Sequence, residues 1–251
     1  MIFLRFSFPG IDNVRCGFGT RIGGVSTGHY QSGNISFEVG DSRQNILANR
    51  KLFKKHAGFQ RLIELKQVHG NQIHFDLKGD FSAGAGAEGD GAGESSPEAA
   101  VLIKTADCQP VFLAHESGRY VCGLHVGWRG NRNSFPGVGV ERFCKYYRIK
   151  PEEVQAVRGP SLGPCCAEFD SFEEHWSADF SRYYHEGRRT MDLWSLTRDQ
   201  LSEAGVLQKN IFCVDLCTKC QTDMFFSYRR NRLCGRQGSF IFMRAVAATG
   251  R

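Results

Sequence analysis

The chain has 251 residues, of which 41% are hydrophobic and 23% are charged. This composition is typical of a globular protein, and the length suits one large domain or two small ones, each with a buried core. No stretch approaches the roughly 18 apolar residues of a membrane helix, and Arg5 interrupts the N-terminal apolar run, which argues against a signal peptide. We therefore expect a cytoplasmic protein with no membrane partner.

The net charge of +6 comes from 32 basic and 26 acidic residues scattered along the chain. Without a basic run, nucleic-acid binding is not favoured. Several arginines stand beside glycines, a pattern that suits a small anion such as phosphate. The 10 cysteines are spread over a long chain, so we expect thiols, a few of which bind metal or react, and not a disulfide framework.

The first half of the chain predicts strands around one helix. The helix covers 41–58, with a polar cap before it and Gly58 at its end. One strand-like segment is predicted before this helix, at 1–20. Four are predicted after it, at 62–76 with a break at His69–Gly70, and at 99–103, 110–114 and 120–128.

The second half predicts more helix. The predicted elements there are helices at about 137–147 and 192–204, a polar helical region near 170–183, strands at 153–159 and 210–217, and a terminal strand pair at 225–230 and 239–246.

Interspersed strands and helices with several hairpins favour a single α/β (α+β) domain over 1–251, with mixed β-sheets and flanking helices. The segment 79–97 is rich in glycine, alanine and serine. We expect a long loop or flap there, and not a linker between domains.

The hairpin geometry brings chemistry together. With a loop at 116–119, Pro110 stands opposite His125, and Cys108 shares a strand face with Pro110. Cys108 and His125 then become diagonal neighbours, roughly 7–8 Å apart at Cα. A thiolate and an imidazole at this spacing can share a metal ion or form a nucleophile–base pair.

A third candidate ligand is His69, at the predicted strand break. One sulfur and two nitrogens suit zinc, and three protein ligands leave a fourth position open, as in catalytic zinc sites. From the spacing alone, a core cysteine with two hydrogen-bonded histidines is the more common arrangement. Asp107, beside Cys108, is predicted either to handle a proton or to orient a ligand.

Three arginines beside glycines or in arginine pairs are the candidate anion-binding residues: Arg21, Arg129 and Arg229.

The remaining cysteines are predicted to be structural. Cys213, Cys217 and Cys220 have the spacing of a radical iron–sulfur site, but Cys213 and Cys217 fall on one strand face, as core residues do. The adjacent pair Cys165 and Cys166 is also taken as structural, with sensitivity to oxidation as the lesser alternative.

Eight motifs in chain order resemble the bacterial laccase-domain proteins, also described as multifunctional purine nucleoside phosphorylases. They are TRIGGVSTG, VGDSRQNILANR, KQVHG, TADCQPV, HVGWRG, GPSLGPCC, DLW and FFSYRR followed by GR. The resemblance implies metal-site residues at His69, Cys108 and His125, and a fold similar to that of cytotoxic-factor-type cysteine hydrolases.

The same resemblance implies a zinc enzyme, with copper as the alternative metal. It would use phosphate to split adenosine, inosine, guanosine and S-methyl-5′-thioadenosine, and would also deaminate adenosine, as a monomer or small homo-oligomer.

Three alternatives remain open. The first is copper-dependent phenol oxidation, although the eight histidines include no His-x-His pair, which a four-copper site needs. The second is a hydrolase with Cys108 as nucleophile and His125 as base. The third is a zinc-stabilised scaffold or binding module, in which a fourth protein ligand closes the site.

Overall fold

Two β-sheets packed face to face form the centre of the molecule in a computed structural model, which describes residues 1–84 and 86–245. In chain order its strands are β1 Phe3–Phe6, β2 Val14–Gly19, β3 Arg61–Glu64, β4 Ile73–Phe75, β5 Gly91–Glu94, β6 Ala99–Thr105, β7 Gln109–His115, β8 Val121–Val126, β9 Val154–Arg158, β10 Tyr184–His185, β11 Thr190–Met191, β12 Ile211–Cys213 and β13 Gln237–Met243. The α-helices are α1 Arg43–Ala57, α2 Trp128–Arg132, α3 Phe135–Tyr147, α4 Phe172–His175 and α5 Leu193–Glu203.

One sheet has the strand order β1-β2-β13-β6-β3 and the other has the order β12-β9-β7-β8-β5-β4. Each combines antiparallel and parallel pairs: β3 with β6, β4 with β5 and β12 with β9 run parallel. The predicted mixed-sheet α/β fold is therefore confirmed.

The apolar core has three layers, one between the two sheets and one between each sheet and the helices that cover its outer face. This arrangement explains the long apolar runs in the sequence. On β6, Val101 and Ile103 enter the core between the sheets, whereas Ala100 and Leu102 pack with Phe53 of α1. β7 has the same alternation, with its second face packed against α3 and α5. Because helices cover the outer faces, these strands are apolar on both sides.

The helices end where the sequence predicts. Gly58 takes a left-handed conformation with φ +89° just after α1, and its N–H donates to the carbonyl of Lys54. α3 has Pro136 in its first turn, where the missing N–H costs nothing.

The hairpin register is confirmed. β7 and β8 pair with Pro110 opposite His125 and Leu113 opposite Cys122. This register places His125 at the end of the sheet where β7 begins.

The flap predicted at 79–97 is wrong in part. Gly91–Glu94 is a buried strand that joins β4 to β8, whereas the other described residues of 79–97, on both sides of it, lie outside helices and strands. Glycine serves packing here, because a Cβ at Gly91 would lie 2.9 Å from side-chain carbons of Ile73 and Leu124. Ala85 of the predicted loop lies outside the described residues.

Two C-terminal strand predictions also change. Residues 225–227 are irregular and residues 228–230 form a turn, and the backbone of Phe226 is bonded to the Gln237 side chain and not to a strand partner. The strand predicted at 210–217 stops at Cys213, after which the chain stays beside the end of β9 through isolated hydrogen bonds, such as that from Val214 N to the Arg158 carbonyl. The predicted end of the last strand at Val246 lies outside the described residues.

Within residues 1–84 and 86–245, no helix has the length and apolarity needed to cross a membrane.

We predict that Phe53→Ala destabilises the protein by about 3–5 kcal/mol, because it opens a cavity among packed aromatic rings. Phe53 is 1% exposed and its ring contacts those of Phe3, Phe59 and Phe240. Leu47→Ala in the same helix is the control, since Leu47 is 41% exposed. Urea unfolding followed by circular dichroism measures both free energies of unfolding, and equal losses would contradict the three-layer core.

Candidate metal centre and binding cleft

Three connections at one end of the sheets bring His69, Cys108 and His125 together. Cys108 lies where the chain crosses from β6 in one sheet to β7 in the other, His125 lies near the end of β8, and His69 lies in the β3–β4 connection. Their ligand atoms all lie within 4.8 Å of one another, and Cys108 Sγ is 3.8 Å from His69 Nε2.

Gly127 keeps this space open. A Cβ at this position would lie 3.1 Å from Cys108 Sγ and 3.1 Å from His69 Cδ2. The glycine after His125 therefore permits the close approach of the other two side chains.

The residue that orients this group is Asp90, which the sequence reasoning missed. Asp90 is fully buried just before β5, and its Oδ1 lies 2.8 Å from His125 Nδ1. Its two carboxylate oxygens also accept hydrogen bonds from the backbone N–H groups of Val68, His69 and Gly70, at 3.2, 3.0 and 2.7 Å. One carboxylate thus positions one histidine through its ring and the other through its backbone. Its signal in the sequence was an aspartate inside a run of small residues, which we took for a loop.

The half-buried Cys108 and the buried His125 form a pair that favours ionisation of the thiol. Burial alone opposes it, but the charge and hydrogen bonds of His125, together with His69, lower the Cys108 pKa to about 6. Burial alone would also lower the His125 pKa, but the Cys108 thiolate and the bond to Asp90 raise it to about 9. Without a metal ion, the two side chains therefore form a thiolate–imidazolium pair near neutral pH.

The donor set fits a zinc ion. Zinc bonds of about 2.3 Å to sulfur and 2.1 Å to nitrogen place tetrahedral ligand atoms about 3.6 Å apart, close to the Cys108–His69 distance. With Asp90 on Nδ1, His125 would hold a metal ion through Nε2, as in the usual carboxylate–histidine–metal arrangement.

The contacts of the Asp107 carboxylate differ from those of Asp90, which orients the His125 ring. Its Oδ1 accepts from Thr218 Oγ1 and its Oδ2 from the N–H of Arg229, both at 2.6 Å. Its carbonyl accepts from Leu162 N at 2.8 Å. Its φ is +101°, a strained value for a non-glycine residue, and these bonds hold it there beside Cys108.

The group of His69, Cys108 and His125 opens onto a cleft of about 860 Å³. Arg129 and Arg229 line it, together with Arg232 and Arg236, which the sequence reasoning did not single out. Arg229 donates to Glu168, whereas the Arg129 guanidinium lies over the Trp128 ring at 4.3 Å.

The predicted anion-binding role of Arg21 is not supported by its position. Arg21 lies against a separate depression of about 340 Å³, and its guanidinium donates to the carbonyls of Gln31 and Thr222. Its backbone N–H donates to the carbonyl of Met224, and its guanidinium lies over the Phe226 ring. Arg21 therefore lies outside the cleft.

Aromatic side chains form one wall of the cleft. Trp128, Phe169 and His175 line it, with ring centroids 5.2–6.0 Å apart, and Tyr228 also faces it. The arrangement provides flat apolar surface beside cationic groups.

Residues 15–244 match the family model described as multi-copper polyphenol oxidoreductase laccase. Because this match spans most of the chain, the protein belongs to this laccase-domain family, as the motifs predicted.

Curated relatives in this family are named purine nucleoside phosphorylases. The chain is 34% identical over 233 residues to the purine nucleoside phosphorylase YfiH of Shigella flexneri, which covers 89% of this chain and 91% of that protein. It is 31% identical over 260 residues to the purine nucleoside phosphorylase YlmD of Geobacillus stearothermophilus, covering 95% and 93%.

Solved structures show the same fold. The crystal structure of YlmD from Geobacillus stearothermophilus matches with a TM-score of 0.88 and 30% identity, over 97% of this chain and 96% of that one. The crystal structure of the YfiH protein of Bacillus licheniformis matches with a TM-score of 0.85 and 27% identity, over 93% and 94%.

We predict that Asp90→Asn lowers zinc affinity about 10–100-fold, because the amide holds His125 less well and lowers its basicity. Competition with a chromophoric chelator measures the affinity. Glu88→Gln is the matched control, since Glu88 lies two residues away and pairs with Lys66 on the surface. Equal affinities for Asp90→Asn and wild type, with both folded, would contradict the orienting role.

We also predict that iodoacetamide alkylates Cys108 of the metal-free protein with a midpoint near pH 6, because the thiolate reacts. His125→Gln removes the imidazolium and raises the Cys108 pKa, so alkylation at pH 7 should slow by about tenfold or more. Peptide mass spectrometry reads the modification, with His74→Gln as control. A wild-type midpoint near the ordinary thiol value of about 8.5 would contradict the ion pair.

Proposed function

We propose that the protein is a purine nucleoside phosphorylase that carries zinc on His69, Cys108 and His125. The observation that carries the proposal is one cleft with these three ligands at one side and arginines around it. The names of the relatives support a phosphorylase.

In this proposal the arginines bind the phosphate co-substrate. Within residues 1–84 and 86–245, the Arg129 guanidinium has no hydrogen bond or ion pair and only its contact with Trp128, so it is available to an anion. Arg229 is held by Glu168, which sets its direction before phosphate arrives. Two planar donors would hold phosphate in one orientation toward the ribose carbon that is attacked.

The aromatic wall would bind the purine base. A flat ring can stack on Trp128 or Phe169, which desolvates it with little loss of side-chain entropy. Stacking recognises the ring and not its substituents, in keeping with a proposed range of adenosine, inosine, guanosine and S-methyl-5′-thioadenosine.

Zinc, when bound, supplies a Lewis acid and lowers the pKa of water in its open position. The chain's part is to present two neutral imidazoles and one thiolate, which Asp90 and Gly127 position. Asp107, which also lines the cleft, is proposed to take or relay a proton. Adenosine deamination is proposed as a second activity of the same site.

We further propose a cytoplasmic location, because none of the 10 cysteines forms a disulfide, as expected in a reducing compartment. The proposed state is a monomer or small homo-oligomer.

Copper chemistry is the second candidate, favoured by the description of the family. The donor set does not fit a multicopper site, since one group among the described residues contains histidines and it has only two. A single copper ion on the same ligands remains the alternative metal.

A third candidate is a hydrolase with Cys108 as nucleophile and His125 as base, favoured by their ion pair. It agrees with the proposed likeness to cytotoxic-factor-type cysteine hydrolases. Such an enzyme would act without metal, whereas the proposed phosphorylase would lose activity on chelation and regain it with zinc. A zinc-stabilised binding module would have no turnover and would unfold on chelation.

We predict that zinc-loaded protein converts adenosine to adenine and ribose 1-phosphate only when phosphate is present, and forms inosine without it. Chromatography of the products distinguishes the two reactions. Absence of turnover with every purine nucleoside, zinc and phosphate being present, would contradict the proposal.

Arg129→Ala should raise the KM for phosphate at least about tenfold, since one charge-assisted contact contributes about 1.5–3 kcal/mol. Arg119→Ala, in the exposed hairpin turn, is its control.

A further inference from the structure

Four cysteines from two distant segments form a second sulfur group outside the cleft. Cys165 and Cys166 lie in the turn after Gly163, and Cys217 and Cys220 lie in the chain that follows β12. Their Sγ atoms all lie within 4.8 Å of one another. Cys213, the third cysteine of the C-x3-C-x2-C spacing, is not a member of the group.

The distances between these sulfurs fit one metal ion. The Cys220 Sγ lies 3.6 Å from Cys165 Sγ and 3.5 Å from Cys166 Sγ. A tetrahedral zinc with bonds of about 2.3 Å places its sulfur ligands about 3.8 Å apart. A disulfide needs about 2.05 Å, and an iron–sulfur cluster holds its cysteines further apart because they bond different irons.

The hydrogen bonds and packing around the sulfurs resemble those of a preformed metal site. The N–H of Gly163 points at Cys217 Sγ at 3.4 Å, and a Cβ at Gly163 would lie 3.2 Å from that of Cys217. Arg230 donates to the carbonyls of Thr218 and Lys219, between the two ligands of the C-x2-C pair. The Arg230 side chain thus fixes the backbone of this loop.

We propose that Cys165, Cys166, Cys217 and Cys220 bind a second zinc ion, in a closed structural site. With four protein ligands, this site has no open position for substrate, unlike the three-ligand group in the cleft.

The second zinc would join two segments that build the cleft. Thr218, between Cys217 and Cys220, donates to Asp107, and Leu162, before Cys165, donates to the Asp107 carbonyl. A metal that crosslinks these segments stabilises the wall on which Asp107 is held. This inference is independent of the proposed function, because it concerns metal content and stability.

The test is the zinc content of protein purified anaerobically with a reductant, measured by mass spectrometry of the metal. Wild type should carry two zinc ions per chain, one for each sulfur-containing group. Cys165→Ser/Cys220→Ser should carry one, and so should Cys108→Ala. Cys165 and Cys220 are exposed, so their exchange costs little packing, and Cys213→Ser is a control that should keep both ions.

Cobalt substitution gives a second readout, because thiolate-to-cobalt absorption grows with the number of thiolates. Cys108→Ala should keep the intense band of a four-thiolate site, whereas Cys165→Ser/Cys220→Ser should keep only the weak band of one thiolate. Chelation should lower the Tm of Cys108→Ala, which retains only the proposed second site. A zinc content of Cys165→Ser/Cys220→Ser equal to that of wild type, a disulfide within the group, or a Tm of Cys108→Ala unchanged by chelation would overturn the proposal.

Discussion

The geometry of the candidate metal group depends on the way in which the buried carboxylate of Asp90 is paired. A charge fully removed from water is costly unless it is paired, and four contacts surround this one: three backbone N–H groups at 68–70 and the ring of His125. These bonds join the β3–β4 connection to the end of β8. Because they orient both histidines, the geometry of the metal group depends on a residue that does not touch the metal position.

The third ligand depends on the way the two sheets are connected. The chain leaves β6 in one sheet and enters β7 in the other within three residues, so Cys108 lies at the seam between the sheets. Asp107 takes a strained left-handed conformation to make that crossing. Its carboxylate bonds to Thr218 and Arg229 stabilise the crossing from the far side, which links the position of Cys108 to the C-terminal segments.

Local patterns predicted much of this arrangement. Hairpin parity placed Cys108 beside His125 because the register follows from a short turn, and α1 followed from its cap and Gly58. Asp90 could not be predicted in this way, since its partners lie in the β3–β4 connection and on β8, and since β5, which it precedes, consists of glycine, alanine and glutamate, which have low β-propensity. Arg21 shows that a local pattern can also predict too much. A glycine-rich loop allows close approach of a ligand, but only the packing of distant segments decides which cleft the arginine enters.

The two sulfur-containing groups differ in composition and surroundings, as the two proposed roles require. The cleft group has one thiolate, a buried histidine oriented by a carboxylate, and a side open to the cleft, so it retains room for a substrate. The other group has four sulfurs and no histidine, which suits a closed site. Their proximity through Thr218 and Asp107 means that loss of order around Cys217 would reach Cys108 by one hydrogen bond and two peptide links. A rigid second group is therefore well placed to maintain the strained backbone beside the first, where a displacement of about 1 Å would matter for catalysis.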